Sequence, residues 1–87
     1  MEADPARQRL FAHPAGHCIL LHKDGVAVQF QVDARQRVRV VRRLTGVDFA
    51  ATGRGLKAGG WRCVGPGLEF SWVLDSAASE RMPPPAD

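Results

Sequence analysis

The feature that most constrains the fold is a seven-residue alternation, residues 26–32, that directly follows a turn signal. A period of two with β-branched and aromatic members is typical of a strand that buries one face. The preceding Asp24-Gly25 pair is among the strongest short-range signals for a hairpin. The sequence therefore predicts two antiparallel strands joined at Gly25. The apolar face of the second strand consists of Val26, Val28, Phe30 and Val32.

Two other regions extend the predicted sheet. Residues 17–22 contain a compact apolar run, which favours a strand buried on both faces. Residues 60–64 and 68–74 flank a three-residue turn, Gly65-Pro66-Gly67, and predict a second hairpin. We expect the apolar face of residues 68–74 to pack on that of residues 26–32. That face consists of Leu68, Phe70, Trp72 and Leu74.

Residues 33–46 fit two interpretations. As a helix, they would begin at Asp33 and end at Gly46, with an apolar stripe at helical spacing. As a strand, residues 37–40 alternate after a turn. The strand is favoured, because valine prefers strands and the basic helix face would have no acidic partners.

The remaining segments are predicted to lie outside the sheet. Residues 1–12 form an N-terminal arm, a short helix with Asp4 as its N-cap. Residues 45–60 are interrupted by five glycines and indicate a loop. Residues 77–87 are a Pro-rich flexible tail, which leaves residues 13–76 as a single β-rich domain.

The predicted fold class is mainly β, a small antiparallel sheet or barrel-like domain of about five strands with room for one short helix. The alternative is an α+β fold with residues 34–45 helical.

A chain of 87 residues buries too little surface for a deep active-site cleft. The N-terminus lacks a secretory signal, and no apolar run approaches the roughly 20 residues of a membrane span. Two cysteines are too few for a disulfide framework, so we expect a cytoplasmic protein without membrane partners.

The charge distribution is strongly asymmetric. Residues 35–62 contain eight basic residues and the single acid Asp48, a net charge of +7 in a chain whose total is +3. A focused positive field attracts phosphate groups or an acidic protein face. The competing interpretation is a solvated basic surface, because residues close in sequence need not be close in space. The predicted binding residues are Arg35, Arg37, Arg39, Arg42, Arg43, Arg54, Lys57, Arg62 and, as the aromatic candidate for stacking, Trp61.

Catalytic and metal chemistry is weakly indicated. The side chains that could bind zinc are His13, His17, Cys18, His22 and Cys63. Their spacing is poor, because no Cys-x-x-Cys pair exists and His17 and His22 would project to opposite faces of a strand. His17 and His22 are near Cys18 in sequence, but neighbours in a strand point apart and no orienting acid is evident. The nine acids are scattered, with no spacing that places two in one pocket. Residues 52–60 resemble a phosphate loop only superficially. We therefore expect no enzyme activity, no metal and no cofactor.

The predicted function is that of a small non-enzymatic protein-interaction or accessory module whose partner presents an acidic surface. The alternative is nucleic-acid binding through the Arg-rich face of residues 35–62. A homodimer is also favoured, because so small a core covers its apolar surface incompletely. We expect such a dimer to pair through residues 68–74 or 18–22 rather than through the arginine strand, whose like charges repel.

Overall fold

The computed structural model describes residues 5–74 and contains one five-stranded antiparallel sheet of order β4-β3-β2-β1-β5. This is the predicted mainly β fold, a linear sheet whose edges are β4 and β5 in the described residues. The elements are β1 (Gln8–Ala12), β2 (His17–His22), β3 (Val26–Val32), β4 (Val38–Thr45), α1 (Phe49–Ala58), β5 (Arg62–Gly65) and a 3₁₀ helix (Leu68–Phe70).

The hairpin of β2 and β3 confirms the strongest sequence prediction. Gly25 has a φ of 92°, which favours glycine, and its N–H donates to the His22 carbonyl at 3.0 Å. β2 lies between β1 and β3, and its neighbours Leu20 and Leu21 are both fully buried on opposite faces of the sheet. The prediction of a strand buried on both faces is therefore confirmed.

β4 confirms the strand interpretation of the ambiguous region and excludes its helical alternative. The turn before β4 is held by the Asp33 carboxylate, whose Oδ1 accepts from the backbone N–H groups of Arg35 at 2.8 Å and Arg37 at 2.9 Å. Val41 forms a bulge, because the pairing passes from Gln29 opposite Arg42 to Phe30 opposite Val40.

The predicted N-terminal helix is wrong for residues 8–12, which form β1. This strand pairs with β2 on one side and β5 on the other. Its adjacent side chains Leu10 and Phe11 are both buried, one on each face of the sheet. A strand covered on both faces shows no alternation in its sequence, so the local pattern favoured a short helix instead.

The predicted glycine loop is also wrong, because most of it forms α1. The Asp48 side chain caps the helix by accepting from the Ala51 N–H at 2.9 Å. The helix ends at Gly59 and Gly60, and the φ of Gly60 is 94°. Glycines inside a helix lower its propensity, but the packing of Phe49 and Leu56 against the sheet compensates.

Residues 68–74 pack where the sequence predicts but are not a strand. They form the 3₁₀ helix and a further helical turn over residues 72–74. Phe70, Val73 and Leu74 contact the core, which is helical spacing, whereas Leu68 and Trp72 are 41% and 49% exposed. The expectation that all four alternate apolar residues face the core is therefore wrong for Leu68 and Trp72.

Buried Gln8 holds this segment in place. Its Nε2 donates to the Pro66 carbonyl at 2.7 Å and to the Ser71 hydroxyl at 3.0 Å. Gly67, between them, has a φ of 63°. The left-handed turn and the anchor together direct the chain across the sheet, so residues 68–74 cannot pair with β5 as the second strand of a hairpin.

One segment therefore packs on each face of the sheet. We call the side covered by α1 the α1 face and the side covered by residues 68–74 the 3₁₀ face. Phe11, Leu21 and Ala27 form the core of the α1 face. The larger core lies on the 3₁₀ face and consists of Leu10, Leu20, Val26, Val28, Phe30, Val73 and Leu74.

Neither strand named for a homodimer offers an edge. Both sides of β2 are occupied, and residues 68–74 are helical. The predicted Pro-rich tail, residues 77–87, lies outside the described residues. No helix within residues 5–74 is long and apolar enough to cross a membrane.

Candidate functional site

Half of the α1 face is left uncovered by the helix. α1 lies against β2 and β5, so it spans the half of the sheet formed by β5, β1 and β2. On β3 and β4 the same face presents polar side chains in two cross-strand rows. We call this region the open half. Its members are Gln29 opposite Arg42 in one row, and His17, Gln31 and Arg39 in the next.

Hydrogen bonds link neighbouring strands within each row. The Arg42 Nε donates to the Gln29 Oε1 at 3.2 Å. The Gln31 Nε2 lies 3.2 Å from the His17 Nδ1. These contacts tie the side chains of both glutamines to a neighbouring strand, while Arg39 and Arg42 remain exposed. The open half is therefore a polar surface in which a hydrogen bond to Gln29 positions Arg42.

A cavity of about 500 Å³ opens at one end of this surface. It lies between the turn that contains Gly16 and the turn that contains Asp33, and Gln31 and Arg39 line it. Hydrogen bonds hold the pKa of the Asp33 carboxyl below its ordinary value, and the bond from the Arg37 backbone N–H has the largest effect. The Asp33 Oδ2 also accepts from the Arg37 Nε at 3.0 Å. The Asp33 carboxylate at this end is therefore already paired with Arg37.

Most Lys and Arg side chains of residues 5–74 do not pair with a carboxylate of the same range. Residues 5–74 contain eleven Lys and Arg against four Asp and Glu. Asp24 pairs with Arg7, Asp33 pairs with Arg37, and Asp48 caps α1. Within residues 5–74 no carboxylate lies within 4 Å of seven predicted site residues: Arg35, Arg39, Arg42, Arg43, Arg54, Lys57 and Arg62.

The predicted basic stretch does not form one patch. Arg39 and Arg42 share the α1 face of β4, whereas Arg62 lies on β5 at the opposite edge. Four strand spacings of about 4.8 Å place these edges about 19 Å apart. Arg54 and Lys57 are exposed on α1. The sequence cluster is therefore spread over both edges of the sheet and the helix.

The other predicted residues have different surroundings. Arg35 and Arg37 are exposed in the turn before β4. Arg43 lies opposite Val28 on the 3₁₀ face, and its Nε is buried without a hydrogen-bond partner in the described part of the chain. Trp61 is half-buried against the α1 core, with its ring 5.1 Å from that of His13. Both contacts limit its use as a stacking platform.

Sequence reasoning missed Gln29, Gln31 and His17 as members of the surface, although a signal for the glutamines existed. They occupy the polar positions of the alternation in β3, and therefore share one face. Arg9 was missed for a different reason. It lies beside α1 only because β1 is a strand next to β5.

Metal and nucleophile chemistry gains no geometric support. No group of three or more His, Cys, Asp or Glu side chains in residues 5–74 could hold a metal ion. Cys18 is partly buried, and desolvation raises the pKa of its thiol.

Comparisons with protein-family models, with curated proteins and with solved structures find no match to this chain.

Proposed function

We propose that this chain is a non-enzymatic protein-interaction module that binds an extended acidic segment of another protein along β4. The observation that supports this function best is the position of Arg39 and Arg42. Both are exposed on the same face of an edge strand, and no carboxylate of residues 5–74 lies within 4 Å of either.

The backbone of β4 supplies the first half of the recognition. β4 is eight residues long and pairs with β3 on one side. Its outer side has no strand partner in the described residues. Unpaired N–H and C=O groups at a sheet edge can hydrogen-bond an added strand.

The arginines supply the selection for acidic partners. Opposite charges directly across neighbouring strands contribute about 0.2–1 kcal/mol per pair, whereas like charges facing each other destabilise the pairing. A second copy of β4 would bring arginines together. A strand with Asp or Glu on alternate residues would instead place its carboxylates beside Arg39 and Arg42.

The open half favours a protein partner over a single-stranded nucleic acid. Single-strand binders combine basic residues with exposed aromatic side chains on which bases stack. The open half has no aromatic ring other than His17 among the described residues. Trp72, which is exposed, belongs to the segment that covers the 3₁₀ face.

Binding to a labelled peptide of alternating Glu and Val tests the proposal. Fluorescence anisotropy should show saturable binding that weakens as salt is added. The R39Q/R42Q variant should bind about tenfold more weakly, because two charge pairs are lost. R54Q/K57Q removes two charges from α1 and should bind like the wild type.

A second peptide separates strand addition from charge attraction. Substituting proline for each valine keeps the charges but removes backbone donors, so this peptide should not bind. Equal binding of both peptides would contradict pairing along β4. Binding to RNA or DNA with none to the Glu-Val peptide would favour the nucleic-acid alternative. If R39Q/R42Q and R54Q/K57Q weakened peptide binding equally, the result would contradict a site on β4.

A further inference from the structure

One large apolar side chain of β4 is exposed on the same face as its two unpaired arginines. Leu44 lies opposite Ala27, and Arg42 lies opposite Gln29, two residues further along β3. Because side chains alternate between the faces of a strand, Leu44 and Arg42 both project from the α1 face. Leu44 is 42% exposed. The outer edge of the sheet therefore offers an apolar contact beside its cations.

These side chains have a fixed order along β4. From the N-terminal end of the strand, the α1 face presents Arg39, then Arg42, then Leu44. The bulge at Val41 accounts for the additional residue between the two arginines, and alternate residues of β3 lie opposite all three side chains. A regular strand on the outer side of β4 therefore also needs its interacting side chains at every second position.

We infer that β4 selects a protein segment in which one large apolar residue precedes two acids, in the order apolar-x-acid-x-acid. This selection rests on the proposed function of β4 and narrows its partner. The order follows from antiparallel pairing, which joins all the described strands of the sheet and is slightly more stable per residue than parallel pairing. In an antiparallel segment the apolar residue lies opposite Leu44, and the acids lie opposite Arg42 and Arg39.

The contact at Leu44 differs in kind from the two charge pairs. An apolar side chain opposite Leu44 would remove apolar surface of both residues from water and extend the core that contains Ala27. A carboxylate in the same place would lose hydration without a cation opposite it. The apolar pair should strengthen binding about fivefold. Salt screens the charge pairs but not this contact.

Two capped peptides of identical composition test the order. The forward peptide is acetyl-Thr-Leu-Thr-Glu-Thr-Glu-Thr-amide, and the reverse peptide has the same residues in the opposite order. The reverse peptide can keep both acids opposite the arginines by moving two residues along β4, but its leucine then no longer lies opposite Leu44. Amide shifts of the whole chain in a titration give both dissociation constants. The forward peptide should bind about fivefold more tightly, and this ratio should persist as salt weakens both.

Variants assign the preference to Leu44. L44T should bind the forward peptide no more tightly than the reverse peptide. Leu68 provides the matched control, because it is 41% exposed but lies in the 3₁₀ helix on the other face of the sheet. L68T should therefore keep the fivefold preference. R39Q/R42Q should weaken the binding of both peptides by the same factor and also keep the preference.

Failure of the inference differs from failure of the proposed function. The inference alone is overturned if the two peptides bind equally, if the reverse peptide binds more tightly, or if the preference survives in L44T. It is also overturned alone if the Glu-Val peptide binds and neither of these peptides does. If none of the three peptides binds, strand addition along β4 is itself contradicted.

Discussion

At the scale of single residues, Gly67 is constrained by both its backbone and its packing. Its φ of 63° lies in the left-handed region, and a Cβ atom there would lie 2.6 Å from the Cβ of buried Leu10. We expect G67A to lower the free energy of unfolding by about 2–4 kcal/mol.

Gly16 provides the matched control for this substitution. Its φ is 91°, but a Cβ atom at Gly16 would have no neighbour within 4 Å. G16A should therefore cost only the backbone strain, about 1 kcal/mol. Urea denaturation of both variants measures the difference. If G67A and G16A lost the same free energy of unfolding, the structure would accommodate the added Cβ atom beside Leu10 without a further loss of stability.

The partly buried thiol of Cys18 makes stability depend on alkaline pH. Burial raises the pKa of Cys18 above its value in the unfolded chain, so the folded state binds the proton more tightly. This contribution is complete below the ordinary cysteine pKa of about 8.5 and is lost as pH rises through the raised pKa. Denaturation of the wild type and C18A between about pH 7 and 10 measures it. An identical pH dependence in C18A would assign the effect to other groups.

At the scale of elements, the turn between β3 and β4 contains a residue in an unfavourable backbone conformation. Gln36 has a φ of 65°, the one positive value outside glycine in the described residues. We expect Q36G to raise the free energy of unfolding by about 0.5–1 kcal/mol, because glycine adopts this φ without strain.

Q36A is the control for the turn. It keeps the Gln36 N–H, which donates to the Asp33 carbonyl at 2.9 Å, and it keeps the strained φ. Thermal denaturation should therefore show little change for Q36A and a higher midpoint for Q36G. A lower midpoint for Q36G would mean that the flexibility of glycine in the unfolded chain outweighs the strain.

The helix α1 contains a glycine that can be replaced favourably. Gly53 has an ordinary helical φ, and an added methyl group would meet only van der Waals contacts. G53A should raise the free energy of unfolding by about 1 kcal/mol through helix propensity. G60A should destabilise instead, because Gly60 ends the helix with a φ of 94°. Melting curves followed by circular dichroism should show a higher midpoint for G53A and a lower midpoint for G60A than for the wild type.

At the scale of the whole molecule, we expect the edge formed by β4 to limit self-association. Its arginines oppose pairing with a second copy, and salt screens this repulsion. We expect R39Q/R42Q to self-associate more strongly than the wild type, with the difference shrinking as salt is added. Light scattering measures the mass. A wild-type chain that dimerises while the variant remains monomeric would contradict the role of β4.

The central strands were predictable because their signals are local. β3 alternates with a period of two, the Asp24-Gly25 turn joins it to β2, and valines favoured the strand form of β4. Each pattern follows from side chains that project alternately from an extended chain. The positions of Gln29 and Gln31 on one face follow from the same alternation.

The rest depended on contacts between distant residues. β1 is a strand because β2 and β5 pair with its two sides, and α1 overcomes its glycines by packing on the sheet. Residues 68–74 alternate like a strand, but Gln8 and the left-handed turn at Gly67 direct them across the 3₁₀ face. The same long-range order places Arg62 at the far edge from Arg39. Local sequence carries the period of each strand, whereas the order of strands in the sheet decides which charges lie together.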